Sequence, residues 1–337
     1  MASVPQQKFS NHNYPFATSK EKDLFIKTTG IENRRVAPVG LTASDLCFEA
    51  ATTLLRKKNI IKGDIGVLIF VTQTPDWLIP PTGIRLQHRL GLSKSCIALD
   101  INLGCSGYVY GLSVISSLMK STGAKNGLLL VGDVSSSVIS EKDKSTAPIF
   151  SDAGSATLLE SADEENKIHF SLHNDGEGYH AIYIPDGGMK NRFSSTSLDY
   201  EKISEGIERN KIHLIMNGVD VFNFSLREVA PDAKQLLSYC GKKTGDIDYF
   251  VFHQANMLMN EAIRKKLGLE PEKVPSSLRD FGNTSSASIP LTLITQLAQK
   301  LKNEKLSLLL SGFGVGLSWG TAILETDKIT CVDLIEI

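Results

Sequence analysis

Three side chains in this sequence stand where the chain could do thioester chemistry. Cys105 lies in Asn102-Leu103-Gly104-Cys105-Ser106-Gly107, where small residues surround a thiol and an apolar run with helical spacing follows. A cysteine at a helix start faces free backbone N–H groups and the positive end of the helix dipole. A thiolate is therefore expected, with a pKa below the ordinary value of about 8.5. A thiolate is the nucleophile that thioester exchange needs. The competing use of Cys105 is as a buried structural thiol, and Cys47, Cys96, Cys240 and Cys331 are assigned that use. His253 opens His253-Gln254-Ala255-Asn256 directly after the apolar run Tyr249-Phe250-Val251-Phe252, at a strand end, where open α/β sheets place their sites. Asn283, in Phe281-Gly282-Asn283-Thr284-Ser285, has a common alternative use as a turn or helix-cap residue. The segment from Gly312 to Gly320 is glycine-rich but lacks the lysine and the following helix of a phosphate cradle. A backbone N–H aimed at an oxyanion is the better use of it.

What must position these groups is a duplicated α/β scaffold. Gly63-Asp64-Ile65 before the apolar run Val67–Phe70 is answered by Gly245-Asp246-Ile247 before Tyr249–Phe252, and Leu90-Gly91-Leu92 by Leu267-Gly268-Leu269. In the same register Gly104-Cys105 falls opposite Gly282-Asn283, so nucleophile and amide occupy matching strand-to-helix turns. Gly154–Glu160 likewise matches Trp319–Glu325 near the other end. Strands alternating with helices predict parallel sheets covered by helices. Two copies would stack as an αβαβα sandwich whose shared helices are unusually apolar, as Leu112 to Met119 is. The boundary is placed in the glycine-rich stretch between the copies, giving halves 1–175 and 176–337.

Composition narrows the function classes. The 337 residues are 42% hydrophobic and 22% charged, and 36 lysines and arginines nearly balance 37 aspartates and glutamates. No global field recruits nucleic acid or a membrane surface, and no apolar run is long enough to span a bilayer. The first residues lack the pattern of a signal peptide, so a cytoplasmic protein is expected. Five scattered cysteines fit neither a zinc site nor a disulfide framework. No metal or cofactor is expected.

Taken together, the motifs around Cys105, His253, Asn283 and Gly312–Gly320 resemble ketoacyl-acyl-carrier-protein synthase III, in the order that family has them. The likeness runs roughly from Asp23 to Glu325 and includes Thr29–Arg35 and Phe150–Gly154. It implies a thiolase-like fold and an enzyme that acylates Cys105 and then condenses the acyl group with a malonyl thioester. His253 and Asn283 would hold the extender carbonyl as carbon dioxide leaves, and the amides of Cys105 and Gly316 would form the oxyanion hole. It further implies a homodimer in which Ile79 approaches the partner's acyl pocket, and an acyl-carrier-protein docking helix carrying Arg264, Lys265 and Lys266. Leu24, Lys144 and Leu258 depart from a tryptophan and two arginines that many members use on coenzyme A. The implied partners are therefore acyl carrier protein and/or coenzyme A thioesters, with the carrier protein preferred. The alternatives are an acyltransferase that passes the acyl-cysteine to an oxygen or nitrogen nucleophile, and a non-catalytic partner subunit; intact Cys105, His253 and Asn283 count against both.

Overall fold

The computed structural model describes residues 1–162 and 167–337. Two sheets carry the molecule. The first has six strands in the order Ile335–Glu336, Ala2–Val4, Ala153–Glu160, Asn126–Asp133, Ile65–Val71, Ile97–Ile101. The second has four: Tyr249–Phe252, Lys305–Gly314, Ser318–Asp327, His169–Asn174. The repeat seen in sequence is a repeat of pairing. Ile65–Val71 runs parallel to Asn126–Asp133, which is antiparallel to Ala153–Glu160; Tyr249–Phe252 runs parallel to Lys305–Gly314, which is antiparallel to Ser318–Asp327. His169–Asn174, before the expected boundary at 175, pairs with Ser318–Asp327 and so belongs to the second sheet.

Both faces of each sheet are covered, which is why the strands read as unbroken apolar runs. Val67, Ile69, Val71, Leu129 and Val131 face a central layer with Val251, Leu308 and Leu310 from the other sheet. That layer is made by the helices Gly107–Thr122 and Ser288–Gln296, through Val109, Leu112, Ile115, Ile289 and Leu291. The alternate residues point outward. Leu68, Phe70, Leu128 and Leu130 pack under Ala43–Lys58 and Thr82–Leu90, and Phe250, Phe252 and Leu309 under Gly218–Tyr239 and Met257–Leu267. Each such side chain contributes about 1.5–3 kcal/mol when fully buried. The result is the αβαβα sandwich expected from the repeat, with the nucleophile helix sealed between the sheets.

The segment after Asp327 closes back on the first sheet. Ile335–Glu336 pairs in parallel with Ser3 and Val4, Arg35 meets Glu336 at 2.7 Å, and Cys331 is buried. Among the described residues no helix is long and apolar enough to cross a membrane, and none of the His, Cys, Asp and Glu side chains cluster in threes to hold a metal.

Candidate active site

Cys105 follows the edge strand Ile97–Ile101 and precedes the helix Gly107–Thr122, whose N-cap Ser106 makes no side-chain cap. The Gly107 N–H instead donates to the Gly104 carbonyl at 2.7 Å and the Val109 N–H to the Ser106 carbonyl at 3.1 Å. The glycine-rich loop closes over this turn. A Cβ on Gly312 would stand 2.9 Å from the Cys105 carbonyl oxygen, and one on Gly314 would stand 2.7 Å from Cys105 Cβ and 2.9 Å from its sulfur. Only glycine permits that approach. The amides presented to the sulfur are those of Cys105 itself and Val315. The N–H that follows the close-packed Gly314 belongs to Val315, whereas Gly316, expected in the oxyanion pair, lies beyond it against Ser318.

The thiol also differs electrostatically from the expectation of a stabilised thiolate. Burial pushes its pKa up to about 11, and the nearby Asp133 carboxylate pushes the same way, outweighing the two amides and the Ser285 hydroxyl. Desolvation wins because the sulfur is sealed between two sheets, while helix-end amides contribute only about 0.3–2 kcal/mol.

His253 ends the strand Tyr249–Phe252, and its amide is held by the Ser311 carbonyl at 2.8 Å. Its ring stands edge-on to Phe313, with Nδ1 2.8 Å from Ser288 Oγ. The Gln254 N–H already donates to that hydroxyl at 3.3 Å, so the Ser288 O–H is free to donate to Nδ1. With Ser288 donating to Nδ1, the ring is assigned as the neutral tautomer with its proton on Nε2. Burial depresses its pKa to about 3 and keeps it neutral. The rest of the His-Gln-Ala-Asn motif is structural. Gln254 Oε1 accepts from Ser276 Oγ and Ser277 N, both at 3.0 Å, and Asn256 caps the helix Met257–Leu267.

Asn283 is fixed from both halves. Its N–H donates to the Ile149 carbonyl at 3.0 Å, and its own carbonyl accepts from Ser151 N at 2.9 Å. Gly282 before it has φ 58° and ψ −154°, and a Cβ there would meet the Ile149 oxygen at 2.9 Å. Asn283 Oδ1 accepts the Ser285 N–H at 2.9 Å. That contact fixes the amide's orientation and leaves Nδ2 as its free donor.

Cys105, His253 and Asn283 line one cavity of about 370 Å³, whose other walls include Phe150, Ile182, Met216, Phe222 and Phe313. A reactive thiol, two neutral N–H donors and apolar walls suit an acyl thioester: a nucleophile for its carbonyl carbon, donors for its carbonyl oxygen, and a dry space for its chain. Leu258 lines this same cavity. Lys144 lines an adjoining one of about 290 Å³ but is paired with Glu21 at 2.8 Å, and Leu24 is exposed nearby on the helix Ser19–Thr29.

The remaining expected residues lie apart from the trio. Ile79 is 86% exposed, in an apolar ridge with Trp77, Leu78 and Ile84. The basic helix is less available than its sequence suggests: the Arg264 side chain is 14% exposed, is bound to Glu261 at 2.8 Å and donates to the Leu269 carbonyl. Lys266 donates to the Leu226 carbonyl at 2.6 Å, so Lys265 alone of the three makes no ion pair or hydrogen bond among the described residues. Ser285, Ser288 and Val315, which touch the reactive groups, were not singled out in sequence. Serines in a serine-rich turn and a valine in a glycine-rich loop carry no signal of their own; the copy-to-copy register around Asn283 was the nearest pointer to them.

Residues 99–176 match the family described as 3-Oxoacyl-[acyl-carrier-protein (ACP)] synthase III, and residues 237–326 match its C-terminal family. The chain is 32% identical over 323 residues to the beta-ketoacyl-[acyl-carrier-protein] synthase III of Streptococcus pneumoniae (strain Hungary19A-6), covering 95% of this chain and 96% of that one. Its fold superposes on a 3-oxoacyl-(acyl-carrier protein) synthase of Burkholderia xenovorans LB400 with a TM-score of 0.94 and 38% identity, covering 100% of this chain and 95% of that one. The synthase III of Thermus thermophilus gives a TM-score of 0.85 at 31% identity, covering 97% and 98%. With its duplicated fold and its thiol, imidazole and amide in one cavity, this chain belongs to the 3-oxoacyl-[acyl-carrier-protein] synthase III family.

Proposed function

We propose that this protein forms a β-ketoacyl thioester by decarboxylative condensation, with Cys105 carrying the primer and His253 with Asn283 activating the extender. The observation that carries the reading is that single cavity, with the thiol facing two neutral donors. In the first half-reaction the Cys105 sulfur attacks the primer thioester and the carrier thiol leaves. The tetrahedral oxyanion falls to the amides of Cys105 and Val315. In the second, a malonyl thioester places its carbonyl oxygen between His253 Nε2–H and Asn283 Nδ2. Carbon dioxide leaves, charge develops on that oxygen, and the resulting carbanion attacks the acyl-cysteine. Neutral donors suit this step because they stabilise a developing charge without surrendering a proton. An acyltransferase would have no need of the amide held by Gly282 and Ser285, which disfavours that alternative.

Acyl carrier protein is the proposed carrier, docking near Lys265, since the Glu21–Lys144 pair and the exposed Leu24 offer little to a nucleotide phosphate. A second copy of the chain is proposed to cover the ridge Trp77, Leu78, Ile79 and Ile84, and a cytoplasmic setting fits free buried thiols.

Intact-mass measurement after incubation with a panel of acyl thioesters tests the division of labour. One acyl group on Cys105 is expected, absent in Cys105→Ser. His253→Ala and Asn283→Ala should still acylate but release carbon dioxide from malonyl thioester about 10²–10³-fold more slowly, the usual cost of one such donor. An acyl group mapped elsewhere, or equal loss of both half-reactions, overturns the assignment.

A further inference from the structure

Asn283 is held by a turn from the other half of the molecule, and that turn is held in its own right. The Ile149 carbonyl, which accepts the Asn283 N–H at 3.0 Å, closes a run of hydrogen bonds that begins at Asp143. The Asp143 carbonyl accepts the N–H of Thr146 at 3.1 Å and of Ala147 at 2.9 Å, and the Thr146 carbonyl accepts that of Ile149 at 3.0 Å. Phe150, next along the chain, bridges Asn283 in parallel and lines the cavity. The place of the Asn283 amide therefore depends on where Asp143 sits.

The Asp143 side chain is fully buried and faces two ways. Oδ1 accepts the Ser145 N–H at 2.9 Å and the Ser145 hydroxyl at 2.5 Å, and Ser145 is itself a wall of the cavity. Oδ2 accepts Arg209 Nη1 at 3.0 Å. Arg209 ends the hairpin formed by Glu201–Ser204 and Ile207–Arg209. The main chain of that hairpin lies along the same turn: the Lys144 N–H donates to the Gly206 carbonyl at 2.9 Å, and the Glu208 N–H to the Lys142 carbonyl at 3.2 Å. Arg209 does not line the cavity, yet an unbroken series of hydrogen bonds joins it to Asn283.

Stability alone gives a weak reason for this pair. The Arg209 side chain is 15% exposed and that of Asp143 is 1% exposed. Desolvating two charges commonly cancels their attraction, and apolar residues of the same volume often stabilise as well or better. Arg209 Nε is in addition buried with no hydrogen-bond partner among the described residues. What the pair supplies is geometry, because the carboxylate must present one oxygen to the guanidinium and the other to Ser145.

We propose that Arg209 is a positioning residue for decarboxylation: through Asp143 it sets the turn 143–150, and so the place of Asn283 against the extender carbonyl. The inference rests on Asn283 being one of the two donors to that carbonyl. No bond or proton is exchanged in this role. The pair holds a donor where charge develops, and a displacement of about 1 Å there can cost about 10²-fold.

The two half-reactions, followed separately by single turnover, test the linkage. Arg209→Met keeps an unbranched stem and removes the charge. Its decarboxylation of malonyl thioester is expected to slow about 10-fold, short of the roughly 10²-fold of a full 1 Å displacement, through kcat and not KM. Acylation of Cys105 from an acetyl thioester, read by intact mass, should be unchanged. Only one hydrogen bond joins the pair, so a lysine ammonium can take its place, and Arg209→Lys should recover most of the lost rate. The decisive measurement is made in the Asn283→Ala background. There Arg209→Met should cost no more than about twofold, since residues that act through one another are not additive. Asp143→Asn keeps an acceptor for Ser145 and should show the same split, which preserves the test if the melting temperature shows that Arg209→Met folds poorly. The same loss in both backgrounds, an equal loss of acylation, or decarboxylation at the unaltered rate overturns the linkage. If Asn283→Ala alone decarboxylates at the unaltered rate, the donor assignment fails instead.

Discussion

The turns that carry Cys105 and Asn283 occupy the same place in the two copies of the fold, yet they spend their backbone in opposite ways. After Cys105 the chain enters the helix Gly107–Thr122 directly, with no side-chain cap, and the amide of Cys105 itself faces the sulfur. After Asn283 it passes through the short 3-10 turn Ser285–Ala287 before the helix Ser288–Gln296, and the first available amide, that of Ser285, is consumed by Asn283 Oδ1. One turn offers a hydrogen-bond donor from its main chain. The other uses its main chain to orient a side-chain donor. A duplicated scaffold can thus supply both the receiver of an acyl group and the holder of a carbonyl oxygen without inventing a second architecture.

Each turn depends on one glycine, and the pair gives the sharpest way to break the comparison. Gly314→Ala would drive a methyl group into Cys105. Acylation should fall about 10²-fold, in line with the cost of a misplacement near 1 Å, while decarboxylation of malonyl thioester changes much less. Gly282→Ala would instead press on the Ile149 carbonyl and displace Asn283, slowing decarboxylation and sparing acylation. Single-turnover measurements of the two half-reactions read both effects. If both variants damaged both steps equally, the two turns would not be separable devices.

A smaller effect is expected from Ser288→Ala, which removes the donor that selects the His253 tautomer. Decarboxylation should drop about 10-fold, less than the roughly 10²–10⁴-fold that a directly acting group contributes, with acylation unchanged. His253 also gives stability a pH dependence. Its folded pKa, about 3, lies below its unfolded value near 6.5. The unfolded chain therefore binds more protons between those values, and the contribution present above pH 6.5 is lost as pH falls towards 3. Asp152, held up to about 6 by burial, acts with the opposite sign: its contribution is complete below the unfolded carboxylate value near 4 and lost as pH rises through 6. Urea midpoints at pH 4.5 and 7 should therefore differ less in His253→Asn than in the unaltered protein. An unchanged difference would place the imidazole in water.

What the sequence revealed, and what it hid, follows the same division. Cys105 and Asn283 stood out because Gly104-Cys105 and Gly282-Asn283 fall in register between the copies, and His253 because it directly follows an apolar strand. The two-sheet architecture was legible because a strand buried on both faces must be apolar throughout, as Leu128–Val131 and Leu308–Leu310 are. Burial of the sulfur was not, since it arises from Gly312 and Gly314 of the other half lying over the turn. The same tertiary approach turns the Val315 amide towards the sulfur. Asp133 reads as an ordinary residue after a strand until Ser286, from the opposite copy, is seen to donate to it. Arg264 shows the converse: a basic triplet on a helix suggests a free charged face, but local pairing with Glu261 and the Leu269 carbonyl consumes one member. The segment after Asp327 had no repeat partner to interpret it, because it adds an edge strand to the first sheet only.

That reduced basic face sets the smallest expected effect and distinguishes the outside of the two halves from the chemistry between them. Lys266 is tied to the Leu226 carbonyl and Arg264 is half-buried, which leaves Lys265 as the residue proposed to meet an acidic carrier. One exposed charge steers more than it binds, and its influence fades over a Debye length of about 8 Å at physiological salt. Lys265→Glu should therefore raise the apparent KM for carrier-linked malonyl substrate by about 3- to 10-fold at low salt, as expected for about 0.5–1.5 kcal/mol at an exposed charge. The increase should shrink as salt is added, with kcat and the turnover of a small thioester mimic unchanged. Arg264→Gln, by contrast, should lower the melting temperature through the loss of its helix-end contacts and affect both substrates alike. Equal behaviour of the two variants towards carrier-linked substrate and mimic would remove the docking role from this helix and leave its lysines as a solvated surface.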